Sequence, residues 1–438
     1  MKKIFGLAVI IIFLGVLCLI LIGSRDIPPP DTSDLILERT ELPPEQNAFT
    51  YFSTATNSFY WPTNFQVIVD YLDGKPVDDS FIREIIARNT DMIAAIEKGL
   101  ACTECSVPEV TRFDAKVPYI SLLRNMGRLL AVKTQHERLS EKHAKAMRTC
   151  VSLLQFGYLV QGDSETLIQY LVGIAIMGSG FEQAQALARN EATPQTDLLT
   201  LSQELARLVS FDSGLVRATK AEYRAMVSIF DGIADGTLGK ETLTGTAHGI
   251  LGSILGQKRI PRYFFHPNRT KAMFADIYRR VIDNAPRPYA AMDLRTDKTP
   301  LMKPSAFSLL THPNAIGRVL YQVLSPNRDS ILERKCRTEF SVGATRVLAA
   351  INAYRQEEGK LPGDLQALVP EFLPSIPIDP YDGKPFRYSA SKGIIYSVGK
   401  DLKDSGGSLT LPDNARSEIW ETEDIVLDVG LPANGSVK

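Results

Sequence analysis

Cys102 and Cys105 stand in a C-T-E-C spacing, which serves either thiol–disulfide exchange or one half of a tetrahedral metal site. The rest of the chain completes neither use. A zinc ribbon needs a second such pair, and the other cysteines are Cys18, Cys150 and Cys336. A redox motif should follow a strand and open a helix, whereas this one follows a helical stretch and precedes Pro108. A local disulfide or two free thiols is the favoured reading, and a redox or metal role is the alternative. Ser389-Ala390-Ser391-Lys392 fits S-x-x-K, in which a lysine activates a serine nucleophile. That serine should open a helix, with K-T-G or S-D-N partners, and here it falls in an expected β-turn without them. His136, His143, His248, His266 and His312 are scattered; the first two share a helical face, but no acid or cysteine completes a ligand set. Arg262, His266, Asp276 and Arg280 would line a cleft only if the fold brings them together. H-E-x-x-H, Walker, G-x-S-x-G and dinucleotide-binding patterns do not occur.

The elements that must position these residues begin with an apolar segment. Met1-Lys2-Lys3 precedes an uncharged run from Ile4 to Ile22. As a helix at ~1.5 Å per residue this run spans about 28 Å, close to the hydrocarbon thickness of a bilayer. A cleavable signal peptide has a shorter apolar stretch and a small-x-small end, which Leu21-Ile22-Gly23-Ser24 lacks. Gly15-Val16-Leu17 before Cys18 does not resemble a lipidation site. Residues 1–24 are therefore expected to be an uncleaved transmembrane anchor. The paired lysines place the N-terminus in the cytoplasm and the bulk of the chain in the periplasm of a bacterial inner membrane. A formal net charge of −1 supplies no basic field for nucleic acid, so that class of partner is not expected.

Residues 25–63 read as a proline- and aromatic-rich stalk. Its first part, Ile27 to Asp34, is expected to be extended rather than packed. The aromatics Phe49, Tyr51, Phe52, Phe59, Tyr60 and Trp61 are expected to plug the helices that follow, with a sugar or peptide platform as the alternative. Residues 64–285 are helical by period, an irregular bundle or hairpin array. Tyr119, Leu122, Leu123, Met126, Leu129 and Leu130 form one buried stripe, and Ala144, Met147, Val151, Leu154 and Tyr158 another. Leu167 to Met177 is apolar nearly all round and reads as a central helix. The glycine-rich stretch from Gly236 to Gly256 reads as a mobile connection or lid, with a helix whose glycines allow close packing as the alternative. Residues 286–332 are expected to be a linker and a connecting helix, Ala315 to Leu324.

Residues 333–438 differ in grammar. A helix from Glu333 to Glu358 carries Phe340, Ala344, Val347, Leu348, Ile351 and Tyr354 at helical spacing, so something must cover that face. Gly359 and Pro362 end it. Pro385 to Ser389 and Gly393 to Val398 form an expected antiparallel hairpin, and Asp424 to Val429 a third strand. The fold class expected is mainly α, with a small C-terminal α+β unit on an antiparallel sheet.

The succession A-Y-R-Q-E-E-G-K-L-P, L-V-P, D-P-Y-D-G-K-P-F-R-Y and S-V-G-K-D in this unit resembles the globular part of the major pseudopilins of type II secretion systems. The resemblance covers about a hundred residues. It implies one helix packed on a small sheet, and a calcium ion held by acids and carbonyls of the loop after the hairpin. Asp401 matches the family's S-x-G-x-D acid, and Asp424 the acid just before the last strand's isoleucine. With Asp404 and Glu423 they are the candidate metal ligands, around Ser405-Gly406-Gly407. A plain solvated turn is the alternative. The N-terminal run lacks the family's glycine–Phe cleavage signature, and some three hundred residues separate it from the pilin-like unit. The reading is a membrane-anchored periplasmic interaction or assembly protein with a protein partner. The alternatives are an envelope enzyme with a cleft in its helical body, and an accessory subunit of a secretion or pilus-like machine.

Overall fold

The structure, a computed structural model, describes residues 14–15, 18, 21–39, 41–112, 115–208, 211–238, 261–294, 312–325, 328–408, 410 and 422–430. The apolar run 4–22 lies mostly outside them, as do residues 239–256 of the glycine-rich stretch and residues 295–311 and 326–327 of the expected linker and connecting helix. Among the described residues no helix is long and apolar enough to cross a membrane.

The molecule is mostly helical, with a small antiparallel sheet near its C-terminus. Its helices are α1 (Ala48–Thr54), α2 (Gln66–Leu72), α3 (Asp79–Arg88), α4 (Thr90–Gly99), α5 (Tyr119–Leu139), α6 (His143–Gly162), α7 (Leu167–Arg189), α8 (Gln195–Ala206), α9 (Phe211–Asp235), α10 (Pro267–Asn284), α11 (Ala315–Leu324) and α12 (Arg328–Glu358). The strands are β1 (Arg387–Ser389), β2 (Ile394–Ser397) and β3 (Ile425–Asp428), in the order β1-β2-β3.

Helix α7 is the hub. The Thr166 side chain accepts from the Gln169 N–H and starts the helix, which packs against α5, α6, α9 and α12. Its burial on several faces matches its nearly continuous apolar sequence. Close approach to α6 depends on glycine. A Cβ on Gly173 would lie 2.6 Å from the Gln161 backbone nitrogen and 2.8 Å from the Gly157 carbonyl oxygen. The two backbones are therefore in direct contact at this crossing, where no larger residue fits. The stripe expected on α5 is buried except for Leu122, which is half-buried. On α6 the expected stripe holds in part: Met147 and Leu154 are buried, Val151 and Tyr158 half-buried and Ala144 exposed, while Ala146, Cys150, Leu153, Phe156 and Val160 are buried as well. The helix lies between two cores, so its buried arc is wider than one stripe.

The aromatic cluster is packing, as expected. Phe52 is fully buried against Phe156, Phe49 meets Tyr119 edge-on, and Phe59 stacks on Trp61. Buried Asn89 holds the strand-like turn after α1 by exchanging hydrogen bonds with the Tyr60 backbone.

Two organisational expectations are corrected. The stretch from Ile27 to Asp34 is not a free stalk. Leu35 just beyond it is buried in the core of α9, α10 and α11, and Arg279 of α10 grips Asp34 at 2.7 Å. The C-terminal unit is also not a separate module. Its helix α12 shares one continuous core with α6, α7 and α8. Phe340 faces Phe386 on the sheet side, while Gln185 of α7 donates to Thr345 and Gln195 of α8 to the Ala353 carbonyl. The small residues Ala344, Ala349, Ala350 and Ala353 are all inaccessible, so the middle of α12, from Lys335 to Ala353, is covered all round, while Arg334 and Gln356 to Glu358 are exposed. The described part of the expected linker is docked too: Tyr289 and Ala290 donate backbone bonds to the Pro380 and Tyr381 carbonyls.

The three strands fall where the sequence places them. Tyr388 pairs with Ile395, and Ile395 with Leu427. Gly393, at φ +63°, turns the hairpin, and Gly359, at φ +70°, ends α12.

Candidate functional site

The acids of the C-terminal loop are organised by backbone N–H groups. Asp424 is inaccessible, and its carboxylate accepts from the N–H of Gly407 at 2.7 Å, Ser408 at 3.0 Å and Ser405 at 3.4 Å. Positive φ at Gly406 and Gly407 turns those N–H groups inward. The Gly406 carbonyl points to Lys392, whose ammonium donates to it at 2.6 Å. Asp404 accepts from the Gly406 N–H and from Arg387 Nε. Exposed Asp401 accepts from the Lys403 N–H, and the Glu423 N–H donates to the Thr410 carbonyl. Asp404 and Asp424 thus serve one loop, but the structure does not gather all four acids. Among the described residues no three His, Cys, Asp or Glu side chains stand together to hold a metal. On this geometry, melting curves in chelator and in excess calcium are expected to coincide. A calcium-dependent rise in Tm would show that the loop rearranges to bind the ion.

Arg387 ties the motif acids together. It reaches Asp379 at 3.2 Å, Asp382 at 2.6 Å and Asp404 at 2.9 Å. Asp379 is fully buried and also accepts from the Tyr381 N–H, the Ser397 hydroxyl and the Val398 N–H. Burial pushes its carboxyl above the usual range, against those hydrogen bonds. The D-P-Y-D-G-K-P turn is in this chain a structural knot between α12 and the sheet.

Of the four residues that would line a cleft if the fold gathered them, two share a cavity and two do not. Arg262 and His266 border a cavity of about 530 Å³ with Ser24, Arg25, Asp26, Phe265, Pro267 and Asn268. Asp276 lies on the outer face of α10, 3.9 Å from Arg279, and neither it nor Arg280 is part of that wall. Asp26 caps α10: its carboxylate accepts from the N–H groups of Asn268 at 2.8 Å and Arg269 at 3.1 Å. Asn268 Nδ2 in turn donates to the Ile27 carbonyl, and Gly23 lies against the Tyr263 ring.

Cys102 and Cys105 are both thiols. Cys102 is half-buried and donates to the Glu45 carbonyl at 3.6 Å. Cys105 is inaccessible, and burial pushes its thiol far above the ordinary value, with the charge of Asp163 adding to the effect. In native protein at pH 8, a maleimide is expected to modify Cys102 while Cys105 reacts only on unfolding. Equal rates would place Cys105 at the surface. The S-x-x-K serine is equally unlike a nucleophile: Ser389 closes β1 in an exposed turn, and its hydroxyl meets Ser391.

The largest charge constellation was not singled out from sequence. Asp163-Ser164-Glu165 forms the turn between α6 and α7, and the Glu165 side chain is inaccessible. Arg224 reaches Glu165 at 2.6 Å, Arg217 at 3.1 Å and Arg39 at 3.5 Å. Arg217 also holds Asp163 at 2.7 Å, and Arg224 holds Glu109 at 2.7 Å. Arg39 and Arg224 further donate to the Val107 and Val110 carbonyls. The Asp163 carboxyl is pushed up by burial and pulled back by Arg217. Tyr119 beside it is held protonated by burial and by the Glu165 charge. Both carboxylates are neutralised by arginine, so the cluster ties the α6–α7 turn to α9 and to the segments at Arg39 and Glu109. The available sequence signal was the spacing of Arg217 and Arg224, two turns apart on one face of α9.

No protein-family model, curated protein or solved structure matches the chain.

Proposed function

We propose that this chain is a single-pass, membrane-anchored envelope protein, periplasmic in its bulk, that works by binding a protein partner rather than by catalysis. The observation that carries this reading is the joint at residues 23–27. The chain that leaves the apolar run is fastened at once to α10 through the Asp26 cap and the Asn268–Ile27 bond, and to the segment before α10 through the Gly23–Tyr263 contact. An anchor joined in this way holds the body in one attitude to the bilayer. A contact surface benefits from that constraint, whereas an enzyme acting on a diffusing substrate does not need it. The pseudopilin-like unit is the second contact site in this reading. Because the middle of α12 is covered on all sides, filament packing through that stretch is closed to it, which favours an accessory or assembly role over that of a filament subunit.

The test uses full-length protein with Cys18 and Cys102 replaced by serine and Lys98→Cys introduced on exposed α4. In intact spheroplasts, an impermeant maleimide is expected to label Lys98→Cys, and deletion of residues 1–22 is expected to release the protein from membranes. Labelling only after lysis, or membrane retention without the run, contradicts the reading. Photo-crosslinkers on the body and on the sheet should then give discrete protein adducts, and their absence from both surfaces would contradict partner binding.

A further inference from the structure

The cavity beside the joint carries charge that the fold does not use. Arg25 and Arg262 are exposed on its rim, and neither makes an ion pair among the described residues. Its one acid, Asp26, is committed to the N–H groups of Ile27, Asn268 and Arg269. Arg269 adds a third positive charge close to His266. His266 lines the wall at 1% exposure, and neither ring nitrogen has a hydrogen-bond partner of acceptable geometry. Burial holds its imidazole below the usual histidine range, while the Asp26 charge and the nearby Gly23 and Arg262 carbonyls pull it partly back. Two unpaired guanidiniums, a buried unsatisfied imidazole and about 530 Å³ of space form a receptor for a doubly charged or phosphodiester anion.

Its position says which anion. Arg25 is the first charge after the apolar run, and Leu21 and Ile22 just before it are exposed at 61% each. We propose that the cavity between residues 24–26 and 262–268 binds the phosphate of an anionic membrane lipid, with Arg25 and Arg262 as its ligands and His266 as a hydrogen-bond donor from the wall. This rests on the anchor reading above, because only an anchored body brings the cavity to headgroup height. A lipid bound there would fasten the body to the leaflet at the same joint that fastens it to its helix.

The experiment is native mass spectrometry and thermal unfolding of the full chain in detergent. The probes are dihexanoyl-phosphatidylglycerol, dihexanoyl-phosphatidylcholine and inorganic phosphate. Wild type is expected to hold one phosphatidylglycerol and to gain Tm with it. Arg25→Gln/Arg262→Gln should bind it about tenfold or more weakly, since each arginine contributes a charge-assisted hydrogen bond. His266→Gln, which keeps a donor on the wall, should lose less. Equal binding by the double variant, or no preference over phosphatidylcholine, overturns the proposal. Inorganic phosphate binding as tightly as the lipid overturns the lipid assignment in favour of a free phosphate. Co-flotation with liposomes separates the two readings. Protein that floats but shows no lipid preference has an anchor and no site. Protein that binds the anion but does not float has lost the anchor reading.

Discussion

Glu165→Ala is expected to lower the free energy of unfolding by about 3–5 kcal/mol, because it leaves arginines facing one another without their shared carboxylate. Glu165 is inaccessible and takes charge-assisted bonds from Arg217 and Arg224, with Arg39 within ion-pair distance. Truncating it removes those bonds and leaves like charges partly desolvated. Truncating Arg224 should cost less, since its side chain is 24% exposed and Arg217 still serves Glu165. A double-mutant cycle between the two positions should return a coupling of about 1–3 kcal/mol. Chemical denaturation with a common m-value checks both. A loss below about 1 kcal/mol for Glu165→Ala would mean the cluster is solvated, since exposed ion pairs contribute only that much.

Gly173→Ala is the second large effect, about 1–3 kcal/mol or more, from one added methyl group. The atoms it would strike belong to the α6 backbone, the Gln161 nitrogen and the Gly157 oxygen, and no rotamer change relieves them. The same helix supplies the control. Nothing lies within 4 Å of a Cβ at Gly178, so Gly178→Ala is expected to stabilise by up to about 1 kcal/mol through helix propensity. Opposite signs from the same substitution five residues apart would locate the helix crossing. Like signs would contradict it.

What could be read in the sequence was what neighbouring residues decide among themselves. The α5 stripe, the hairpin around Gly393 and the end of α12 at Gly359 are settled by period and turn chemistry over a few residues, and each falls where expected. Helix α12 was half legible. Phe340, Val347, Leu348 and Ile351 mark one buried face, but the other is faced with alanine, whose small hydropathy conceals that α7 and α8 press against it. The C-terminal unit therefore looked separable when its helix is part of the body's core. The loop acids were legible as a group by spacing. Which atoms they would meet was not, because Asp424 draws in N–H groups where a cation would need carbonyls. Sites joined over long separations left the weakest trace. The Asp26 cap spans 242 residues to Asn268, and nothing local distinguishes Asp26 from any other acid after an apolar run.

The joint at residues 23–27 is the central claim, and a distance across it tests it most directly. Spin labels at Pro29→Cys and Asp283→Cys, with Cys18 and Cys102 replaced by serine, put one probe just beyond the joint and one near the end of α10. Both positions are exposed. Pulsed electron paramagnetic resonance on the full chain in lipid nanodiscs is predicted to give one narrow distance peak that broadens in Asp26→Ala. A broad distribution in the parent protein, unchanged by Asp26→Ala, would mean that the segment swings free of the body and would contradict the account.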